Sequence, residues 1–135
     1  MIMANGAIPK EISDNERLAR FVVYSRWIRP DETVKPDVFI PYSRTELSVT
    51  RHIGLSVEQL WAIGKSVAAK RSLLLHGRAD TNVSTVKDQE LSVRPTPLPE
   101  NLNHANIDGW PTSKSEQKIK ALEIAKTVIF SRHII

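Results

Sequence analysis

Apolar residues recur at three- and four-residue intervals in two stretches of this chain and alternate with polar ones in several others. The clearest helical period runs through Val57, Leu60, Trp61, Gly64, Val67 and Ala68, one stripe of an amphipathic helix. Ser56-Val-Glu-Gln59 opens it with the spacing of a capping box, and the pattern continues to Lys70 or Arg71. Gly64 in mid-helix costs about 1 kcal/mol against alanine, which predicts close packing of this helix on a sheet. Trp61 shares the stripe and is expected in the core. A second helix is predicted from Ser113-Lys-Ser-Glu116 to about Phe130, with Ile119, Leu122, Ala125, Val128 and Ile129 as its apolar stripe.

Alternation predicts half-buried strands at Glu46–Arg51, with Leu47 and Val49 inward, at Gln89–Arg94, and at His104–Asp108. Arg20–Ile28 is rich in β-branched and aromatic residues. It predicts a strand after a short helical turn at Ser13-Asp-Asn-Glu16; one amphipathic helix over 14–28 is the competing reading. Ser72-Leu-Leu-Leu-His-Gly77 predicts a fully buried strand, and Ala79–Val86 reads as polar and turn-like. The two prolines of Val34–Pro41 forbid a central strand and predict an extended edge. The sum is a single compact α+β domain over 13–135, behind a flexible lead-in over 1–12. It would hold a small mixed or antiparallel sheet with two main helices packed on it.

Size and composition agree with that picture. A chain of 135 residues is one ordinary domain. A hydrophobic fraction of 41% with 25% charged residues is enough for a packed core. Apolar runs are a few residues long, far from the roughly 20 that span a bilayer. The first residues lack the basic-then-apolar order of a secretory signal, so an intracellular protein is expected. The absence of cysteine excludes disulfides, thiolate nucleophiles and Cys-ligated metals. The four histidines are widely separated, so no metal is expected. With no Gly-x-Gly-x-x-Gly, P-loop or Gly-x-Ser-x-Gly, no cofactor is expected either. Net charge is +4, and the excess lies wholly beyond Leu60. Such a surplus fits attraction to phosphate or to an acidic partner.

The segment Asn101-Leu-Asn-His-Ala-Asn-Ile-Asp-Gly-Trp-Pro111 concentrates the candidate chemistry. His104 could act as acid or base, and Asn101, Asn103 and Asn106 could orient it or hold a ligand. The structural alternative is a polar network satisfying backbone groups beside a Pro-rich connector. Trp110 could cover the sheet edge or face a partner. Arg51-His52 lies just past a strand end, where Arg51 would clamp an anion and His52 transfer a proton; the alternative is an exposed loop. Arg26 and Arg44 would join an anion site only if the fold brings them together. Arg78, in His76-Gly-Arg-Ala-Asp80, could bind a ligand or make a surface ion pair.

Val34-Lys-Pro-Asp-Val-Phe, Glu46-Leu-Ser-Val-Thr-Arg51 and Asn101-Leu-Asn-His-Ala-Asn-Ile107 together resemble a pattern found in small uncharacterised bacterial proteins. The resemblance covers about half the chain and implies a bacterial or phage origin and one compact domain. No activity is assigned to such proteins, so it carries no catalytic residue. The leading functional expectation is a binding or accessory module of a multi-component system, contacting a protein partner or nucleic acid. The alternative is a small enzyme acting on a phosphorylated or nucleotide-like substrate, with His104 or His52 as acid/base and Arg51 as anion clamp.

Overall fold

A computed structural model describes residues 8–42 and 44–134. It shows an α+β domain: a six-stranded antiparallel sheet of order β4-β5-β2-β1-β3-β6. The strands are β1 (Arg17–Val22), β2 (Glu46–Arg51), β3 (Gly77–Asn82), β4 (Ser92–Pro95), β5 (His104–Asp108) and β6 (Ile129–Arg132). Helix α1 (Val57–Lys70) covers one face, and α2 (Val83–Asp88) and α3 (Lys114–Ala125) cover the other. Among the described residues no helix is long and apolar enough to cross a membrane.

Alternation on β1 divides the packing. Leu18 and Val22 enter the larger core with Phe39, Ile107, Val83 and Ile124, whereas Ala19 and Phe21 meet Leu60 of α1. The capping box at Ser56 and Gln59 forms in full, and Leu47 and Val49 point inward as the alternation predicts. At Gly64, an added Cβ would lie 2.6 Å from the Phe21 ring and 3.1 Å from Leu75. That contact is the reason glycine interrupts a good helix. Gly64→Ala is therefore expected to lower stability by about 1–2 kcal/mol despite its better helix propensity. A urea titration in which the variant equals or exceeds the wild type would contradict this.

Several expectations require correction. β1 starts and ends earlier than Arg20–Ile28, because Ser13–Glu16 closes a single turn and a 3-10 turn at Ser25–Trp27 breaks the extended run. Pro36–Phe39 is a 3-10 helix rather than an extended edge; Pro36 begins it, and Val38 and Phe39 are buried. The apolar run Ser72–His76 is a loop. α1 ends in a Schellman motif, with Ser72 at φ 56° and Leu73 N–H donating to the Ala68 carbonyl. Leu74 is left 75% exposed. The strand is instead the polar Gly77–Asn82, and Val83–Asp88 is helical rather than turn-like.

The last helix stops at Ala125, and Ile129–Arg132 adds an edge strand. Its buried face is Gln117, Ala121 and Ile124, leaving Ile119 63% exposed. The small Ala121 faces inward because α3 packs closely on the Pro36–Phe39 turn. Trp61 is only partly buried and lies across Arg78. Of the expected lead-in, residues 1–7 lie outside the described residues, while Pro9 and Glu11 are held through their carbonyls by Arg51.

Candidate functional site

β1 and β2 pair at Leu18–Arg51 and Ala19–Thr50, and the pairing stops there. Yet β1 remains paired with β3 to Val22, and β2 with β5 to Glu46. Arg20 occupies the opening: its Nε donates to the Val38 carbonyl at 2.9 Å and its Nη1 to the Ser48 carbonyl at 3.0 Å. Beside it lies a cavity of about 730 Å³, within the size range of small-molecule sites. Its walls come from the end of β1, the Ile40–Tyr42 segment with Arg44, β2, the C-terminal half of α1 and the connector before β5.

Five cationic side chains line this cavity (Arg20, Arg26, Arg44, Lys70 and Arg71) against two carboxylates, Glu46 and Glu100. Both carboxylates are engaged: Glu100 with Lys70 at 3.0 Å and Glu46 with Arg94 at 3.6 Å. Among the described residues, the four arginines have no carboxylate partner. Arg26 lies over the Tyr24 ring at 4.2 Å, and Arg71 approaches the Tyr24 hydroxyl at 3.4 Å.

Enclosure, and then the neighbouring Arg71 cation, pull the Arg20 pKa down to about 10, with Tyr42 acting the other way. Burial and the adjacent Asp37, which accepts the Tyr42 hydroxyl at 3.2 Å, raise the Tyr42 phenol; Arg26 and Arg20 partly offset this. Tyr42 itself sits at φ 58°, a left-handed backbone that a bulky residue rarely adopts. Five cations against two carboxylates thus leave an excess of positive charge around a cavity whose rim is open to solvent, with Arg26, Arg44, Lys70 and Arg71 exposed and Arg20 half-buried. An anion bound there would be favoured twice, by attraction and by relief of repulsion.

The predicted residues divide between this cavity and the framework. Arg26, Arg44, Asn101 and His104 line the cavity together; the remainder do not. Arg51 is buried, with Nε and Nη2 gripping Glu16 at 2.8 and 2.9 Å, and its other donors reach main-chain carbonyls. With four of its five N–H groups engaged and its side chain 3% exposed, it is not placed to clamp a ligand. His52 Nε2 contacts Asp80 at 3.0 Å, and Asp80 also accepts from Arg17 and Arg78. Arg51, His52 and His104 therefore do not converge, as the enzyme reading required.

The Asn-rich strip is largely a structural network. Asn103 Nδ2 donates to the carbonyls of Arg51 and Ile53, and the Asn101 amide bonds Thr50 and the Asn103 N–H. Asn106 reaches Glu46, and the buried Trp110 indole N–H donates to the Ile107 carbonyl. The expectation that Trp110 faces a partner falls with that burial.

Sequence reasoning missed Arg20, Tyr42, Lys70 and Arg71. The available signal was Arg20 itself, a cation on the face of a strand whose neighbouring positions are Leu18 and Val22. Comparison with known proteins finds no matching family model, no matching curated protein and no matching solved structure.

Proposed function

We propose that this protein is a binding domain for a small, multiply charged anion of the phosphate class, held in the cavity between β1 and β2. The observation that carries the reading is the set of four arginines, none with a carboxylate partner among the described residues, around one cavity. Arginine forks match phosphate oxygens bidentately, and several of them converging on one cavity add their attractions. A phosphorylated ligand was the substrate class of the enzyme alternative; what supports it here is the cation cluster, with Arg51 removed from the role.

Pyrophosphate is the simplest probe. Calorimetric titration of the full chain should show saturable one-to-one binding, weakened about 10-fold or more by Arg71→Ala, since one charge-assisted contact is worth about 1.5–3 kcal/mol. Arg132→Ala, which removes a guanidinium engaged by Glu32 at 2.8 Å and outside the cavity lining, should leave the affinity within about twofold, as expected for an exposed pair. Equal losses in the two variants would reduce the effect to general surface charge and remove the proposal. Single-stranded DNA binding more tightly than pyrophosphate, with a steep salt dependence, would move the reading to nucleic acid.

A further inference from the structure

The cavity has two chemically different parts. Arg20 lies within electrostatic reach of Arg71 and Tyr42, and Tyr42 within reach of Arg26, whereas His104 is within reach of Glu100, which Lys70 holds. In this second part most polar groups are already committed. Asn101 is used on Thr50 and on the Asn103 N–H.

His104 is different. Its Nδ1 sits 3.0 Å from the Thr96 carbonyl and 2.8 Å from the Thr96 hydroxyl. A carbonyl only accepts, so the contact favours the tautomer with the proton on Nδ1, in which Nε2 is the acceptor. His104 lines the cavity with Nδ1 turned to Thr96. Among the described residues Nε2 has no hydrogen-bond partner.

Charge and spacing then describe a ligand. Five cations against two carboxylates leave a surplus of three positive charges around the cavity. An organic diphosphate carries about three negative charges at neutral pH, given the 1.5–2 of a terminal phosphate and one more on the inner phosphate. A lone phosphate would leave part of the surplus uncompensated and most of the cavity unfilled.

We infer that the ligand is an organic diphosphate, with its phosphates among Arg20, Arg26 and Arg71 and a hydroxyl or N–H of its organic part donating to His104 Nε2. This deepens the anion-site reading and rests on it. Arginines supply affinity and the histidine acceptor supplies discrimination, because a ligand without a donor displaces water from Nε2 and leaves that acceptor unpaired.

Metal-free calorimetry on the full chain with pyrophosphate, methyl diphosphate and ADP tests it. ADP is expected to bind about 10-fold tighter than methyl diphosphate, which has similar charge and no donor, and methyl diphosphate should resemble pyrophosphate. His104→Leu should abolish the ADP advantage over methyl diphosphate, and an unchanged circular dichroism spectrum of the ligand-free variant reports that it is folded. Methyl diphosphate binding the unaltered protein as tightly as ADP would overturn the inference without any variant. An ADP advantage that survives His104→Leu would overturn it equally. Failure of all three probes to bind would instead remove the anion-site reading beneath it.

Discussion

Arg51→Ala should destabilise the domain by about 3–5 kcal/mol, the cost of leaving one partner of a buried ion pair alone. The Arg51 and Glu16 side chains are only 3% and 9% exposed, so water cannot replace the lost guanidinium. The same change releases the carbonyls of Pro9 and Glu11. Set against a typical stability of about 5–15 kcal/mol, the loss should be plain in a urea titration. Arg51→Lys should recover only part of it, since one ammonium cannot serve two carboxylate oxygens and two carbonyls. Acid adds an independent check. Burial alone would raise the Glu16 pKa, but hydrogen bonds from Arg51 and from the Ser13 N–H, with the Arg51 charge, hold it below 4.5. A carboxyl depressed in the folded state contributes stability that is full above its unfolded value and is lost as pH falls through the folded one. Wild-type stability should therefore drop below about pH 4.5, and Arg51→Ala should be flatter there. A variant with unchanged midpoint and acid profile would show that the pair is not holding the fold.

The elements legible in the sequence were those whose period and punctuation agree. α1 has both an apolar stripe and a complete capping box, and β2 and β5 alternate cleanly against each other. Failures came where composition and burial part company. Leu73, Leu74 and Leu75 look like a core strand, yet the helix end at Ser72 turns the chain before they can enter the sheet. Gly77–Asn82 looks like a loop, yet its Asp80 is buried because Arg17, His52 and Arg78 converge on it from three segments. Such pairings are set by tertiary placement and leave no mark on local periodicity. The α3 stripe went astray for a related reason: with the Pro36–Phe39 turn packed against the helix, a small residue suits the contact better than isoleucine.

The site was legible in its residue types more than in its membership. Arg26 and Arg44 were conditional candidates, and the fold does place them on one cavity with His104. Arg51, the favoured anion clamp, is instead occupied within the framework. Spacing cannot distinguish the two kinds of arginine, since the difference is whether a carboxylate 35 residues away reaches it. The Asn-rich strip misled in the opposite direction. Its density of amides reflects the need to satisfy main-chain groups where the connector meets β5, and Asn103 alone takes two carbonyls for that purpose.

Arg20→Met should give a pattern opposite to that of Arg51→Ala: little change in the ligand-free protein and a large loss in the ligand-bound one. Arg20 has no carboxylate to strand. Its removal frees two carbonyls, at a cost of about 1–3 kcal/mol for such groups. It also removes a confined cation whose pKa is pulled to about 10 by enclosure and by Arg71, and the two effects oppose each other. Pyrophosphate at 100 times its dissociation constant stabilises a single-site protein by about 2.7 kcal/mol, or very roughly 10 °C in melting temperature for a domain of this size. In Arg20→Met that rise should shrink to a degree or two, about a 100-fold loss of affinity. Proton linkage supplies the second readout. A bound anion favours the charged guanidinium, so binding near pH 10 should be accompanied by proton uptake, as the Arg20 pKa rises back toward its ordinary range; at pH 7, where it is already charged, Arg20 contributes none. A melting shift of undiminished size in Arg20→Met would place the anion elsewhere, because no ligand in the opening between β1 and β2 could avoid the side chain that spans it.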